Sequence, residues 1–301
     1  MEYREYYRWI APWDSRLHIH KITTQIEITH CYLKDFYAFS DFLSYFEIIN
    51  GDGYNNMHLI NLRKALPITF TILFSCSLFE PDTGVEEKYN FFSSSLNEMS
   101  TVWVYYPESY ASSTPVIYLL NGFFKAPSGE WGSEMDLQRE AHNRDIIFVS
   151  INSGSNTYTN NTSQTNANYE DYVLEVVSTI EDEFAINIDY TKRALCGISG
   201  GGGGAVYLLS QYPDNFMACG SLSGTVYGTL IDYGNLADRD IRIDVGQQDL
   251  GILSDLRWLH NKLNENHVDH EYYEHSGEHD WTFWRKWTPN QFDFLEAIIS
   301  S

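Results

Sequence analysis

Gly197-Ile198-Ser199-Gly200-Gly201 lies between an apolar run, Arg193-Ala194-Leu195-Cys196, and a helix-forming run, Ala205-Val206-Tyr207-Leu208-Leu209. A serine at a sharp strand-to-helix turn takes a strained backbone conformation, and glycine neighbours avoid the collisions that side chains would cause there. A bare G-x-S-x-G is weak information, because a glycine-rich turn can carry a passenger serine. Its flanking strand and helix, with an acid and a histidine downstream in the order Ser, Asp, His, make the pattern specific.

Such a turn needs a parallel sheet, and the rest of the chain supplies one. From about residue 88, strands alternate with helices, the pattern of an α/β fold with a mostly parallel central sheet and helices on both faces. Strands are predicted at Thr101 to Tyr106, Val116 to Leu120, Asp145 to Ser150, Ala194 to Cys196, Phe216 to Cys219 and Ile241 to Val245. Tyr169 to Phe184 carries a helical stripe of Tyr172, Val173, Val176, Val177 and Ile180, and Leu253 to Leu263 also reads as helix. Ser153 to Asn168, rich in Ser, Thr and Asn, reads as a surface loop near the site.

The formal charge of -22 argues against nucleic acid and anionic lipid headgroups as partners, since phosphates would be repelled. Cys31, Cys76, Cys196 and Cys219 lack the spacing of a zinc site or a disulfide framework, so no metal or other cofactor is expected. Cys196 and Cys219 are expected as buried apolar thiols.

The segment 57–76 has a basic start, a short apolar run from Ala65 to Phe74 and a small residue before cysteine, the layout of a secretory signal. It resembles a bacterial lipoprotein signal in which Leu73-Phe74-Ser75-Cys76 is the lipobox and Cys76 the lipidated residue. The apolar run is too short to span a bilayer. A buried strand or helix is the alternative. Under the signal reading, residues 1–56 are an upstream extension from a misplaced start, 77–87 a tether and 88–301 the folded domain. The protein would then sit in the cell envelope or on its outer face.

At a parallel sheet's carboxyl edge, loops bring distant residues together. Val245-Gly246-Gln247-Gln248-Asp249 puts an aspartate just past a strand, and Gly277-Glu278-His279-Asp280-Trp281 puts a histidine just before a helix. Ser199 is the candidate nucleophile, His279 the base that takes its proton and Asp249 the acid that holds the imidazole. The rivals are His267, His270 and His275 for the base, and Asp244 and Asp255 for the acid; each sits within or beside a regular element, or lacks the glycine loop. The oxyanion donors are expected to be the Gly200 amide and the Phe123 amide in Asn121-Gly122-Phe123-Phe124.

Tyr118-Leu119-Leu120-Asn121-Gly122, Trp131, Tyr169-Glu170-Asp171-Tyr172, Gly197-Ile198-Ser199-Gly200-Gly201 and Gly277-Glu278-His279-Asp280-Trp281 resemble the putative-esterase family of α/β-hydrolases over roughly residues 88–299. That family is similar to esterase D (S-formylglutathione hydrolase), feruloyl and acetylxylan esterases, tributyrin esterase and the antigen 85 mycolyltransferases. The resemblance implies hydrolysis of carboxylic esters through an acyl-enzyme, with Ser199, Asp249 and His279 as nucleophile, acid and base. Two departures stand out. The family's histidine before the oxyanion glycine is Asn121 here, which must rebuild the local hydrogen bonds. The bulky residue common after the nucleophile is Gly200, opening a run of five glycines to Gly204 that implies close packing or unusual mobility.

The short interval from Gly224 to Arg239 leaves little room for a lid, which favours an open cleft and soluble or polymeric esters. Trp131, Tyr158, Trp281 and Trp284 are candidates to stack on a sugar or phenolic acid, the alternative for the tryptophans being core packing. The leading expectation is an esterase acting on short-chain or carbohydrate-linked acetyl or feruloyl esters. An acyltransferase of the same fold, a non-catalytic surface-binding protein and a serine peptidase are the other readings.

Overall fold

The computed structural model describes residues 84–123, 130–160 and 168–301. The upstream extension, the signal segment with Cys76 and most of the tether lie outside the described residues.

Eight strands form one sheet: β1 (Val85–Ser93), β2 (Glu98–Tyr106), β3 (Val116–Leu120), β4 (Ile147–Ile151), β5 (Arg193–Ile198), β6 (Ala218–Leu222), β7 (Asp240–Gly246) and β8 (Glu271–His275). Their order is β1-β2-β4-β3-β5-β6-β7-β8, antiparallel at the β1–β2 and β2–β4 edges and parallel from β4 to β8. The helices are α1 (Glu130–Glu134), α2 (Leu137–Arg144), α3 (Tyr169–Glu183), α4 (Gly200–Gln211), α5 (Leu250–Glu265) and α6 (Trp281–Ile299).

The strand pleat sorts the core into two layers. In β3, Val116, Tyr118 and Leu120 face the side covered by α3, α4 and α5. Ile117 and Leu119 face the side that α6 shares with α2. Strands buried at every residue and mainly apolar, such as Val116–Leu120 and Ile147–Ile151, are what a parallel sheet covered on both faces demands. Glu181 of α3 pins that helix to the sheet, accepting from the Tyr118 hydroxyl at 3.0 Å and pairing with Arg193 at 2.5 Å.

The sequence reading missed β1, which takes in Val85 to Glu87 of the expected tether. β1 is an edge strand with polar residues on both faces, so its alternation is weak. Its turn into β2 is held by Glu175 of α3, whose carboxylate accepts from the Ser93 hydroxyl (2.6 Å), the Ser94 amide and hydroxyl (2.7 Å each) and the Ser95 amide (3.2 Å). Burial alone would push that carboxyl up, yet these hydrogen bonds outweigh it and hold Glu175 at about 2.

The order reverses between β3 and β5: the chain leaves β3 toward β4 on one side and β5 toward β6 on the other. The loops after β3 and β5 therefore diverge, opening a crevice at the carboxyl edge where α/β sheets bind ligands.

Candidate active site

Ser199 caps α4 with φ 50° and ψ -120°, a conformation that costs about 1–3 kcal/mol for a residue with a side chain. Backbone hydrogen bonds hold it there: its amide donates to Leu222 O (2.9 Å), and its carbonyl accepts from the amides of Thr225 (3.0 Å) and Gly203 (3.2 Å). The glycines around it answer close approach, the first of the two alternatives the sequence left open. A Cβ on Gly197 would lie 2.2 Å from the Gly201 backbone, and one on Gly201 would lie 2.1 Å from Leu120 O. Gly200 to Ser210 are all buried, because α4 runs directly over β3, β5 and β6.

His279 and Asp249 arrive from the other side of the crevice. His279 Nε2 is 2.9 Å from Ser199 Oγ, and its Nδ1 is 2.6 Å from Asp249 Oδ2. Asp249 is 4% and Ser199 7% exposed, whereas the His279 side chain between them is 31% exposed. The base loop is tied to the acid loop: the amides of Gln247 and Gln248 donate to His275 O (2.7 Å) and Gly277 O (3.0 Å), and Gly277 N donates back to Gln248 Oε1 at 2.6 Å. Beyond His279, the Asp280 carboxylate caps α6 by accepting from Phe283 N at 3.0 Å.

The rival acid and base are spent elsewhere. Asp244, fully buried in β7, pairs with His275 Nε2 at 2.6 Å and accepts from Arg242 Nε (2.8 Å) and Gln291 Nε2 (2.6 Å). His270 Nε2 lies 2.7 Å from His260 Nδ1, His267 sits just beyond α5 at φ 58°, and Asp255 is within α5.

Of the aromatic residues expected to meet a substrate, Trp131 and Tyr158 do not face the cleft. Both are fully buried and support the loop after β3 from behind. Trp131 Nε1 donates to Leu120 O at 3.2 Å, and the Tyr158 hydroxyl lies 3.0 Å from Asn121 O and 3.2 Å from Ile151 O. Sequence proximity could not tell a phenol that faces substrate from one that braces backbone, since each has an apolar ring and one polar end. Trp284 is core, its ring edge-on to His279 at 4.9 Å. Trp281 is half-buried, edge-on to both Trp131 and Trp284 at 5.5 Å.

Among the described residues, the Asn121 side chain does not rebuild the local hydrogen bonds as expected. It is fully buried, and neither amide atom has a partner among the described residues, so bracing passes to Trp131 and Tyr158. Sequence reasoning also missed Tyr227. Burial pushes its phenol up to about 12, so it stays protonated, and it donates to Gly200 O at 3.2 Å. Among the described residues, no group of three or more His, Cys, Asp or Glu side chains could hold a metal ion.

A strained serine bonded to an imidazole, itself bonded to a buried carboxylate, is built for nucleophilic attack on a carbonyl. The family described as "Putative esterase" matches residues 93–292. The chain belongs to the putative esterase family. No curated protein matches it significantly. Among solved structures, this family member is similar to a ferulic acid esterase at 20% identity and TM-score 0.63, covering 72% of this chain and 99% of the other. Substrate-bound fluorophosphonate-binding serine hydrolase F of Staphylococcus aureus aligns at 17% identity and TM-score 0.63, covering 71% and 99%. The ferulic acid esterase of the anaerobic fungus Anaeromyces mucronatus aligns at 18% and 0.60, covering 73% and 92%. At these identities the shared property is the α/β-hydrolase fold.

Proposed function

We propose that this esterase is a serine carboxylesterase that cleaves short-chain or carbohydrate-linked esters, of acetyl or feruloyl type, through an acyl-enzyme. The observation that carries the reading is the hydrogen-bonded chain from Ser199 through His279 to Asp249. Ser199 Oγ bonds to the ester carbonyl carbon while its proton passes to His279 Nε2. Asp249 stabilises the imidazolium at Nδ1. The tetrahedral intermediate collapses as the carbon–alkoxy bond breaks and the imidazolium proton goes to the leaving oxygen. Water then repeats the cycle, with His279 again as base, and releases the acid. The Gly200 and Phe123 amides serve as oxyanion donors, each worth about 2.7–4 kcal/mol by the usual cost of removing one.

The ester class draws support from the ferulic acid esterases among the structural neighbours, one of them in complex with ferulic acid. The half-buried Trp281 is the aromatic candidate left for contact with substrate. The signal-like layout of residues 57–76 supports lipid attachment at Cys76 and a place in the cell envelope, where acylated polysaccharide is encountered.

The test is hydrolysis of p-nitrophenyl acetate, a methyl ferulate and an acetylated xylan by protein beginning after Cys76, beside Ser199→Ala. Turnover of at least one ester, lost in the variant, supports the reading. Acyl transfer to an added alcohol in preference to water would make the protein an acyltransferase. Equal activity in both proteins, or none in folded wild type, would overturn it.

A further inference from the structure

The Phe123 ring fills the space that a side chain on Gly200 would take. A Cβ on Gly200 would lie 2.3 Å from Cε1, 2.4 Å from Cδ1 and 2.5 Å from Cζ of that ring. The first residue of α4 therefore has no side chain because a side chain from the loop after β3 already fills its place. The backbone that leads to Phe123 is held in place. The carbonyls of Leu120 and Asn121 just before it are engaged by Trp131 and Tyr158, and Gly201 abuts Leu120 O from the helix side. Phe123 is half-buried.

Topology says which part of a substrate that ring meets. Ser199 follows β5. His279 follows β8 and Asp249 follows β7, both on one side of β5, whereas Phe123 follows β3 on the other. The leaving alcohol must lie within reach of the His279 proton. The acyl substituent of the same carbonyl then projects away from His279, toward β3. We propose that the Phe123 side chain is the acyl-side wall of the Ser199 cleft and restricts the enzyme to short or flat acyl groups, with Gly200 as its required steric complement. The proposal rests on the esterase reading and assigns specificity to a side chain whose backbone amide serves the oxyanion.

The test compares p-nitrophenyl acetate, butyrate and octanoate in wild type, Phe123→Leu, Phe123→Ala, Gly200→Ala and Phe123→Ala/Gly200→Ala, with the melting temperature of each. Shortening the ring should raise the octanoate-to-acetate ratio of kcat/KM at least tenfold in Phe123→Ala and by a smaller factor in Phe123→Leu. Gly200→Ala should lower the melting temperature and all three activities, and Phe123→Ala in the same chain should restore both toward wild type. An unchanged octanoate-to-acetate ratio in both Phe123 variants, while wild type hydrolyses acetate and Ser199→Ala does not, overturns the acyl-wall assignment and leaves the esterase reading standing. Failure of wild type to hydrolyse any ester removes both. Melting temperatures that simply add, without rescue in the double variant, overturn the steric pairing independently of activity.

Discussion

Gly201→Ala puts the tight seating of α4 to the test, because helix propensity and packing pull in opposite directions there. Alanine is favoured over glycine in a helix interior by about 1 kcal/mol. Against that, the new Cβ would lie 2.1 Å from Leu120 O, 2.5 Å from Leu120 C and 2.6 Å from Asn121 O, all of them backbone atoms. Reaching ordinary contact at 3.4 Å requires the helix and the end of β3 to part by about 1 Å. Overpacking costs about 1–3 kcal/mol, and a site with backbone on both sides belongs near about 3. The net loss is about 2 kcal/mol, or a fall of about 4–8 °C in melting temperature for a domain of this size. The same shift moves the Gly200 amide away from its proposed oxyanion position, and a misplacement of about 1 Å can cost about a hundredfold in kcat. Gly251 in α5 is the control, since a Cβ there meets nothing within 4 Å. Gly251→Ala should gain about 0.4–1 kcal/mol, a rise of about 1–4 °C. Thermal unfolding followed by circular dichroism, with ester turnover measured on the folded proteins, decides it. If Gly201→Ala melts at or above wild type with unchanged kcat, the glycine run does not exist for close packing and the reasoning fails.

Other consequences separate roles that look alike on paper. Asp249→Asn should lower kcat by about three to four orders of magnitude with little change in melting temperature. Asp244→Asn should instead destabilise by about 3–5 kcal/mol, because it takes a fully buried carboxylate from the partly buried Arg242 and His275, while kcat of the folded protein stays near wild type. Urea unfolding and initial rates of both variants distinguish these patterns. Tyr158→Phe strips the hydroxyl that braces Asn121 O and Ile151 O; a loss of about 1–3 kcal/mol in stability is expected, with kcat reduced more than KM is raised. Glu175 has its folded-state carboxyl held below the ordinary value of 4.5, at about 2, so its stabilisation is fully present above 4.5 and is lost as pH falls toward 2. It is a surface clamp worth less than about 1 kcal/mol. The melting-temperature gap between wild type and Glu175→Gln should be constant above pH 5 and close progressively below it.

The loops carrying Ser199, Asp249 and His279 were readable because each follows or precedes a regular element and because glycines mark the close approaches. The central parallel strands were readable from buried, mainly apolar runs such as Val116–Leu120. What escaped had no such signature. β1 alternates weakly at the sheet edge, and α2, Leu137 to Arg144, shows the core only Leu137 and Ala141. Trp131 and Tyr158 were placed near the site correctly but facing the wrong way, since orientation depends on which carbonyls of the β3 loop need a donor. The Gly200 departure was visible as an oddity, and its cause, the Phe123 ring, is a contact between residues far apart in sequence that no local pattern encodes. The Asp244–His275 pair shows the converse: an acid and a histidine in plausible order can serve structure alone.

The central claim is that Ser199 is an activated nucleophile within a working relay. Intact-mass spectrometry after brief exposure to a fluorophosphonate probe tests it without knowledge of the natural ester. The account predicts one covalent adduct per chain, mapped to Ser199, absent in Ser199→Ala and formed at least a hundredfold more slowly in His279→Ala. Equal labelling of Ser199→Ala, or no adduct on folded wild-type protein, would contradict it.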